Sequence, residues 1–204
     1  MHTAQDIIHT TSLTGADLRT AFFQDQAETL RQAALQIARC LAAGGRLFVV
    51  GEGSGDICAR EVARNFLDHL DLDRPALPAI RIALHGPEEI PGTACARQLE
   101  ALARPGDTLL AFLSDGERAP LQPALALTQR MGLACILICT QAAAALYPYG
   151  ITVTVPQASA SLSCELLFAA GHLVCRLTDY YLFENVAALQ TADPLREVTH
   201  NAHL

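Results

Sequence analysis

Three glycines at alternate positions, Gly51, Gly53 and Gly55, stand in the run Arg46-Leu47-Phe48-Val49-Val50-Gly51-Glu52-Gly53-Ser54-Gly55-Asp56. The chemistry such spacing suits is anion binding. Glycine reaches positive φ and lets a ligand approach the backbone where a Cβ would block it. A helix beginning here offers unpaired N–H groups and the positive end of its dipole to a phosphate. Gly51, Gly53, Ser54 and Gly55 are therefore candidate ligand-binding residues. A tight strand-to-helix turn also selects glycine for its own geometry, and a single glycine cluster does not separate the two readings. A second loop, Ser114-Asp115-Gly116-Glu117-Arg118, follows the apolar run Thr108-Leu109-Leu110-Ala111-Phe112-Leu113. It adds Ser114, Gly116 and Arg118 as candidates.

The elements that must position these loops alternate along the chain. Leu18, Phe22, Leu30, Ala34, Ile37 and Leu41 keep helical spacing up to Gly44-Gly45, which predicts one long amphipathic N-terminal helix. Strands are expected at 46–50, 77–84, 108–113, 133–140 and 150–155. Helices are expected at about 56–70, 93–103, 119–131 and 162–183, with Pro120 and Pro123 tolerated near the start of the third. Such alternation implies a parallel, doubly wound sheet that binds ligands at the C-terminal ends of its strands. Both loops lie there. The last helix, with Leu166, Leu167, Phe168, Leu173, Val174 and Leu177, is apolar nearly all round and should be buried on several sides. Residues 1–183 read as one domain and 184–204 as an extended tail.

Composition excludes several classes. With 14 Lys and Arg against 21 Asp and Glu, the chain carries a net charge of −7 and has no basic cluster. Direct binding to nucleic acid is not expected. Hydrophobic residues make up 51% of the chain, yet no apolar run approaches the roughly 20 residues of a membrane span. The start, Met1-His2-Thr3-Ala4-Gln5-Asp6, lacks the basic region and apolar core of a signal peptide. The apolar surplus then points to subunit interfaces in a cytoplasmic homo-oligomer. The seven cysteines include no Cys-x-x-Cys pair and sit in apolar segments, as reduced, mostly buried thiols do.

Four stretches together resemble the SIS (sugar isomerase) domain. They are Gly51-x-Gly53-x-x before a helix, Arg74-Pro75-Ala76-Leu77-Pro78-Ala79-Ile80, Ala103-Arg104-Pro105-Gly106-Asp107-Thr108-Leu109-Leu110, and Val155-Pro156 leading to Cys164-Glu165 and a last helix with His172 and Cys175. The likeness spans about residues 18–183 and is to the branch holding the phosphoheptose isomerases and the DnaA initiator-associating proteins. It implies an α/β, three-layer α-β-α fold with a five-stranded parallel sheet and long N- and C-terminal helices. It also implies a homotetramer with sites at subunit interfaces. The isomerases of this branch interconvert sedoheptulose 7-phosphate and a heptose 7-phosphate.

Departures from the isomerase pattern set the functional expectation. The isomerases read Gly-Asn-Gly-Gly-Ser, then a His and a Glu one turn apart; this chain has Glu52, Gly55, Glu61 and Asn65 there. Their phosphate loop, Ser-Thr-Ser-Gly-Asn-Ser, is here Leu113-Ser114-Asp115-Gly116-Glu117-Arg118. Hydroxyls donate hydrogen bonds to phosphate, whereas carboxylates accept only. A like-charge pair about 4 Å apart costs on the order of 4 kcal/mol at an effective dielectric of about 20. On the last helix the family's Gln and His fall on Cys164 and His172. If catalysis survives, Glu61 is the base and His172 the acid. No cofactor is expected; a remnant zinc site at Glu61, Cys164 and His172 is a secondary reading.

The end of that helix, Cys175-Arg176-Leu177-Thr178-Asp179-Tyr180-Tyr181-Leu182-Phe183, resembles the initiator-associating proteins, whose Leu-Phe pair contacts DnaA. Exposed, Leu182 and Phe183 would make an apolar docking patch; such a pair is equally ordinary core. The resulting expectation is a non-catalytic or weakly active adaptor with negligible affinity for sedoheptulose 7-phosphate, at most binding a small phosphosugar or anion. The alternative is a phosphoheptose isomerase with an altered phosphate loop. A dinucleotide-binding Rossmann domain is opposed by Asp56, where its fingerprint needs a third glycine, and by Leu84-His85, where it needs an acid.

Overall fold

The computed structural model describes residues 3–83, 93–114, 121–145 and 150–190. In chain order these form α1 (Ala4–Asp25), α2 (Ala27–Ala42), β1 (Leu47–Glu52), α3 (Gly55–Leu67), β2 (Ala79–Arg81), α4 (Thr93–Leu102) and β3 (Thr108–Leu113). They continue through α5 (Gln122–Met131), β4 (Ala134–Thr140), α6 (Gln141–Ala144), β5 (Ile151–Val155) and α7 (Ala160–Asp179). All five strands are parallel, in the order β2-β1-β3-β4-β5.

The period of two in the strands builds two cores. Leu47 and Val49, Leu110 and Phe112, and Ile136 and Ile138 face the layer of α2, α3 and α7. Phe48 and Val50, Leu109 and Ala111, and Leu137 and Cys139 face the layer of α4 and α5. A sheet covered on both faces gives strands that read as continuous apolar runs, as these do. The three-layer architecture follows.

Four expectations about the elements need correction. The N-terminal helix is two helices that meet at Gln26, whose φ of −95° and ψ of 8° cap one and open the other. The Gln26 side-chain carbonyl accepts from the Thr154 amide at 3.0 Å, which ties this joint to β5. Strand β2 is only three residues long, because Pro78 has no N–H to give to the ladder. The last helix begins earlier, on the Ser159 cap, and its end widens into a π turn over Tyr180–Glu184. Beyond it, the first residues of the expected extended tail form a 3-10 turn, Val186–Gln190.

The helical run Ala160–Glu184 is also long and apolar enough to cross a membrane, which the apolar-run count did not anticipate. Its composition has a simpler cause. Leu166, Leu167, Ala170, Val174 and Cys175 are buried in the core between α2 and α3.

The exit of α3 is bolted to this helix by Arg74. Its Nε donates to the Asp179 carboxylate at 2.7 Å, and the guanidinium also donates to the carbonyls of Asn65 (2.9 Å) and Phe66 (3.0 Å). Both side chains of the ion pair are almost fully buried. α1 is the opposite case: over 22 residues it buries Phe22 alone.

Candidate functional site

The order β2-β1-β3 places the switch point of the sheet between β1 and β3, where a doubly wound fold opens its crevice. The glycine turn lies at this point, and its geometry explains each glycine. Gly53 has a φ of +56°, in the left-handed region that other residues avoid. A Cβ on Gly51 would run into the backbone of Gly55, and one on Gly55 into the Phe112 carbonyl of β3. The close approach of α3 to the sheet therefore requires glycine with or without a ligand. Ser114 closes the other side, its hydroxyl donating to the Glu52 carbonyl at 3.0 Å. The structure thus brings Gly51, Gly53, Ser54, Gly55 and Ser114 together at the mouth of the crevice. Gly116 and Arg118 lie outside the described residues, as do Asp115 and Glu117, whose charges carry the expectation of phosphate repulsion.

Acid at the turn is neutralised locally. Asp56, the second residue of α3, accepts from Arg81 at 2.5 Å and lies 3.5 Å from Arg60. Two guanidinium groups thus face the one carboxylate.

Glu61 and His172 come from different helices. α3 and α7 pack closely because Gly171 is small: a Cβ there would meet Val62 at 2.8 Å and the Phe112 ring at 3.2 Å. The seam puts Glu61 and His172 within electrostatic reach of each other. Arg64 donates to both Glu61 carboxylate oxygens, at 3.1 and 2.6 Å. These bonds hold the carboxyl below its ordinary range against partial burial, and His172 acts in the same direction.

His172 packs edge-on against Phe168, with ring centroids 5.1 Å apart. It lines a cavity of about 240 Å³ together with Arg19, Phe23 and Arg176. The His172 Nε2 is buried without a hydrogen-bond partner, and so is the amide nitrogen of Asn65, one turn beyond Glu61. Sequence reasoning does not single out Arg64, and it names Asn65 only as a departure from the isomerases' Glu. For Arg64 a signal exists in its three-residue spacing from Glu61, which puts both on one helix face.

Two groupings expected from the sequence come apart. Cys164, half-buried near the start of α7, does not join Glu61 and His172. Among the described residues no group of three or more His, Cys, Asp and Glu side chains is placed to hold a metal ion, so the residues do not fit the remnant zinc site. Leu182 and Phe183 do not form a single exposed pair either. Leu182 packs against the core, while Phe183 is 43% exposed.

A doubly wound five-stranded sheet with a glycine turn at its switch point defines the class, and the chain belongs to the SIS domain family, whose model matches residues 14–139. Within it, relatives of this chain include phosphoheptose isomerases. The chain is 38% identical over 197 residues to the phosphoheptose isomerase of Desulfovibrio desulfuricans, covering 91% of this chain and 92% of the other. It is 30% identical over 201 residues to one from Nitratidesulfovibrio vulgaris, covering 92% and 94%. A solved phosphoheptose isomerase structure from Francisella tularensis matches with a TM-score of 0.77 at 25% identity, over 87% of this chain and 99% of that one.

These relatives overturn the expectation of a non-catalytic adaptor and the leaning against an enzyme. Substituted side chains taken one by one point away from catalysis, whereas end-to-end identity of 38% speaks for the whole chain.

Proposed function

We propose that this protein is an aldose–ketose isomerase of the phosphoheptose isomerase type, interconverting sedoheptulose 7-phosphate and D-glycero-D-manno-heptose 7-phosphate. The observation that carries the reading is its 38% identity, across nearly its whole length, to a relative of that name. The electrostatic influence of His172 on Glu61 supports it.

Isomerisation moves one proton between C1 and C2 of the sugar and needs an acid at the carbonyl oxygen. Glu61 is the base: held ionised by Arg64, it takes the proton from the carbon next to the carbonyl. His172 supplies the acid, its orphaned Nε2 meeting the oxygen that becomes the enediol hydroxyl. Glu61 then returns the proton to the neighbouring carbon, while the other enediol hydroxyl gives its proton back to His172 and becomes the new carbonyl. The Asn65 amide is a second hydrogen-bond donor that a sugar oxygen would satisfy. Arg19 and Arg176 line the His172 cavity and bring cationic groups to it, Arg176 also pairing with Asp71 at 3.0 Å.

The reading includes a cytoplasmic homotetramer, which fits α1 and its exposed Ile7, Ile8 and Leu13. The test is turnover of sedoheptulose 7-phosphate by the purified protein. Wild-type turnover that falls about a hundredfold or more in Glu61→Gln and in His172→Ala is expected. No wild-type turnover, or full activity in Glu61→Gln, overturns the assignment.

A further inference from the structure

We propose that a cavity at the N-terminal end of the sheet is a second binding site, whose ligand is an uncharged sugar of one or two rings. The cavity has a volume of about 600 Å³ and lies where β4 begins at Ala134 and β5 at Ile151. The crevice beside Gly51–Gly55 opens at the C-terminal ends of the same parallel sheet, so the two sites occupy opposite ends of it.

Local sequence explains the opening. β5 is an edge strand, and the cavity lies at its start between α2 of one helical layer and α5 of the other. Gly150 draws the chain in beside β4: its φ is +76°, and a Cβ there would run into the Cys135 carbonyl. Thr29, Gln32 and Gln36, three and four residues apart, fall on one face of α2, and all three are half-buried. α5 adds Gln129 from its last turn, and β5 adds Thr152. The buried Leu133 and Ile151 supply apolar wall.

This lining sets the class of ligand. Among the described residues it holds no ionised side chain. By contrast, the His172 cavity carries Arg19 and Arg176, and a cavity between α4 and α5 carries Arg97, Glu100 and Arg130. A phosphate or carboxylate entering the uncharged cavity would lose hydration without gaining a counter-charge. Amides and hydroxyls both donate and accept hydrogen bonds, as every sugar hydroxyl does. Gln32 is already oriented: its amide nitrogen donates to Glu28 at 2.9 Å, which leaves its carbonyl to accept. A wholly apolar ligand would leave these groups unpaired, whereas the C–H face of a sugar ring suits Leu133 and Ile151. The volume falls within the roughly 300–1,000 Å³ of small-molecule sites and exceeds the 240 Å³ at His172.

The site stands apart from the isomerase assignment, and its test reads binding rather than turnover. Saturation-transfer difference NMR on the full chain would use D-glucose, maltose and sucrose as probes. Transfer to at least one of the three is expected, unchanged by excess sedoheptulose 7-phosphate. Loss of one hydrogen-bonding group in Gln36→Leu, or in Gln129→Leu, should weaken binding about fivefold. Gln129 is exposed, so replacing it keeps the test clear of a folding defect. Transfer to none of the three sugars overturns the proposal. So does displacement by sedoheptulose 7-phosphate, or undiminished binding in both variants, since the sugar then sits elsewhere.

Discussion

Arg64 shows how one neighbour sets the behaviour of a proposed catalytic group. Its two hydrogen bonds to Glu61 keep that carboxylate ionised well into acid. A base is lost as pH falls through its pKa, so the acid limb of kcat/KM should lie below the ordinary carboxylate range of about 4. Removing the guanidinium in Arg64→Ala takes away the largest cause of that depression. The acid limb should then move to higher pH, with kcat at neutral pH changed less than in Glu61→Gln. A pH–rate profile that does not shift would show that Arg64 only packs on the surface. Part of this was legible, because the three-residue spacing of Glu61 and Arg64 sets them on one helix face.

At the scale of the element, α7 is the member on which the others converge. α2 and α3 both pack against it, and Arg74 locks the exit of α3 to its last turn. A buried ion pair of this kind is stabilising mainly in the sense that breaking it is expensive. With side chains 1% and 6% exposed, Arg74→Ala or Asp179→Ala alone should destabilise by about 3–5 kcal/mol, since each leaves a charge buried and unpaired. Replacing both by apolar residues of similar size should cost clearly less than either. Urea denaturation of the three variants decides it, and additive losses would count against a coupled pair. The apolar pattern of this helix foretold burial correctly. It did not tell a core helix from a membrane-spanning one, because both are apolar for the same reason, exclusion of water.

For the whole molecule, the open question is what α1 packs against. A helix of 22 residues that buries Phe22 alone within its own chain contributes little to the protomer's core. Deleting residues 1–25 should therefore leave the α/β domain folded by circular dichroism, yet reduce the proposed tetramer to a smaller species by light scattering. An unchanged assembly would place the subunit contacts elsewhere.

The sequence by itself determined the class of fold. Apolar runs of about five to seven residues alternating with helical periods admit few arrangements besides a doubly wound parallel sheet, because each strand must be covered on both faces. It also placed Gly51–Gly55 at the C-terminal edge of that sheet. What it could not weigh was the reason for the glycines, which the tertiary structure traces to the approach of α3 to the Phe112 carbonyl. The break at Gln26 was equally hidden, since helical spacing runs on through it, and the non-helical backbone of Gln26 and its bond to Thr154 show the chain turning there. The proximity of Glu61 to His172 was decided by the packing of α3 on α7. Contacts between residues about a hundred positions apart depend on how elements are stacked, and local propensity and periodicity carry no information about that.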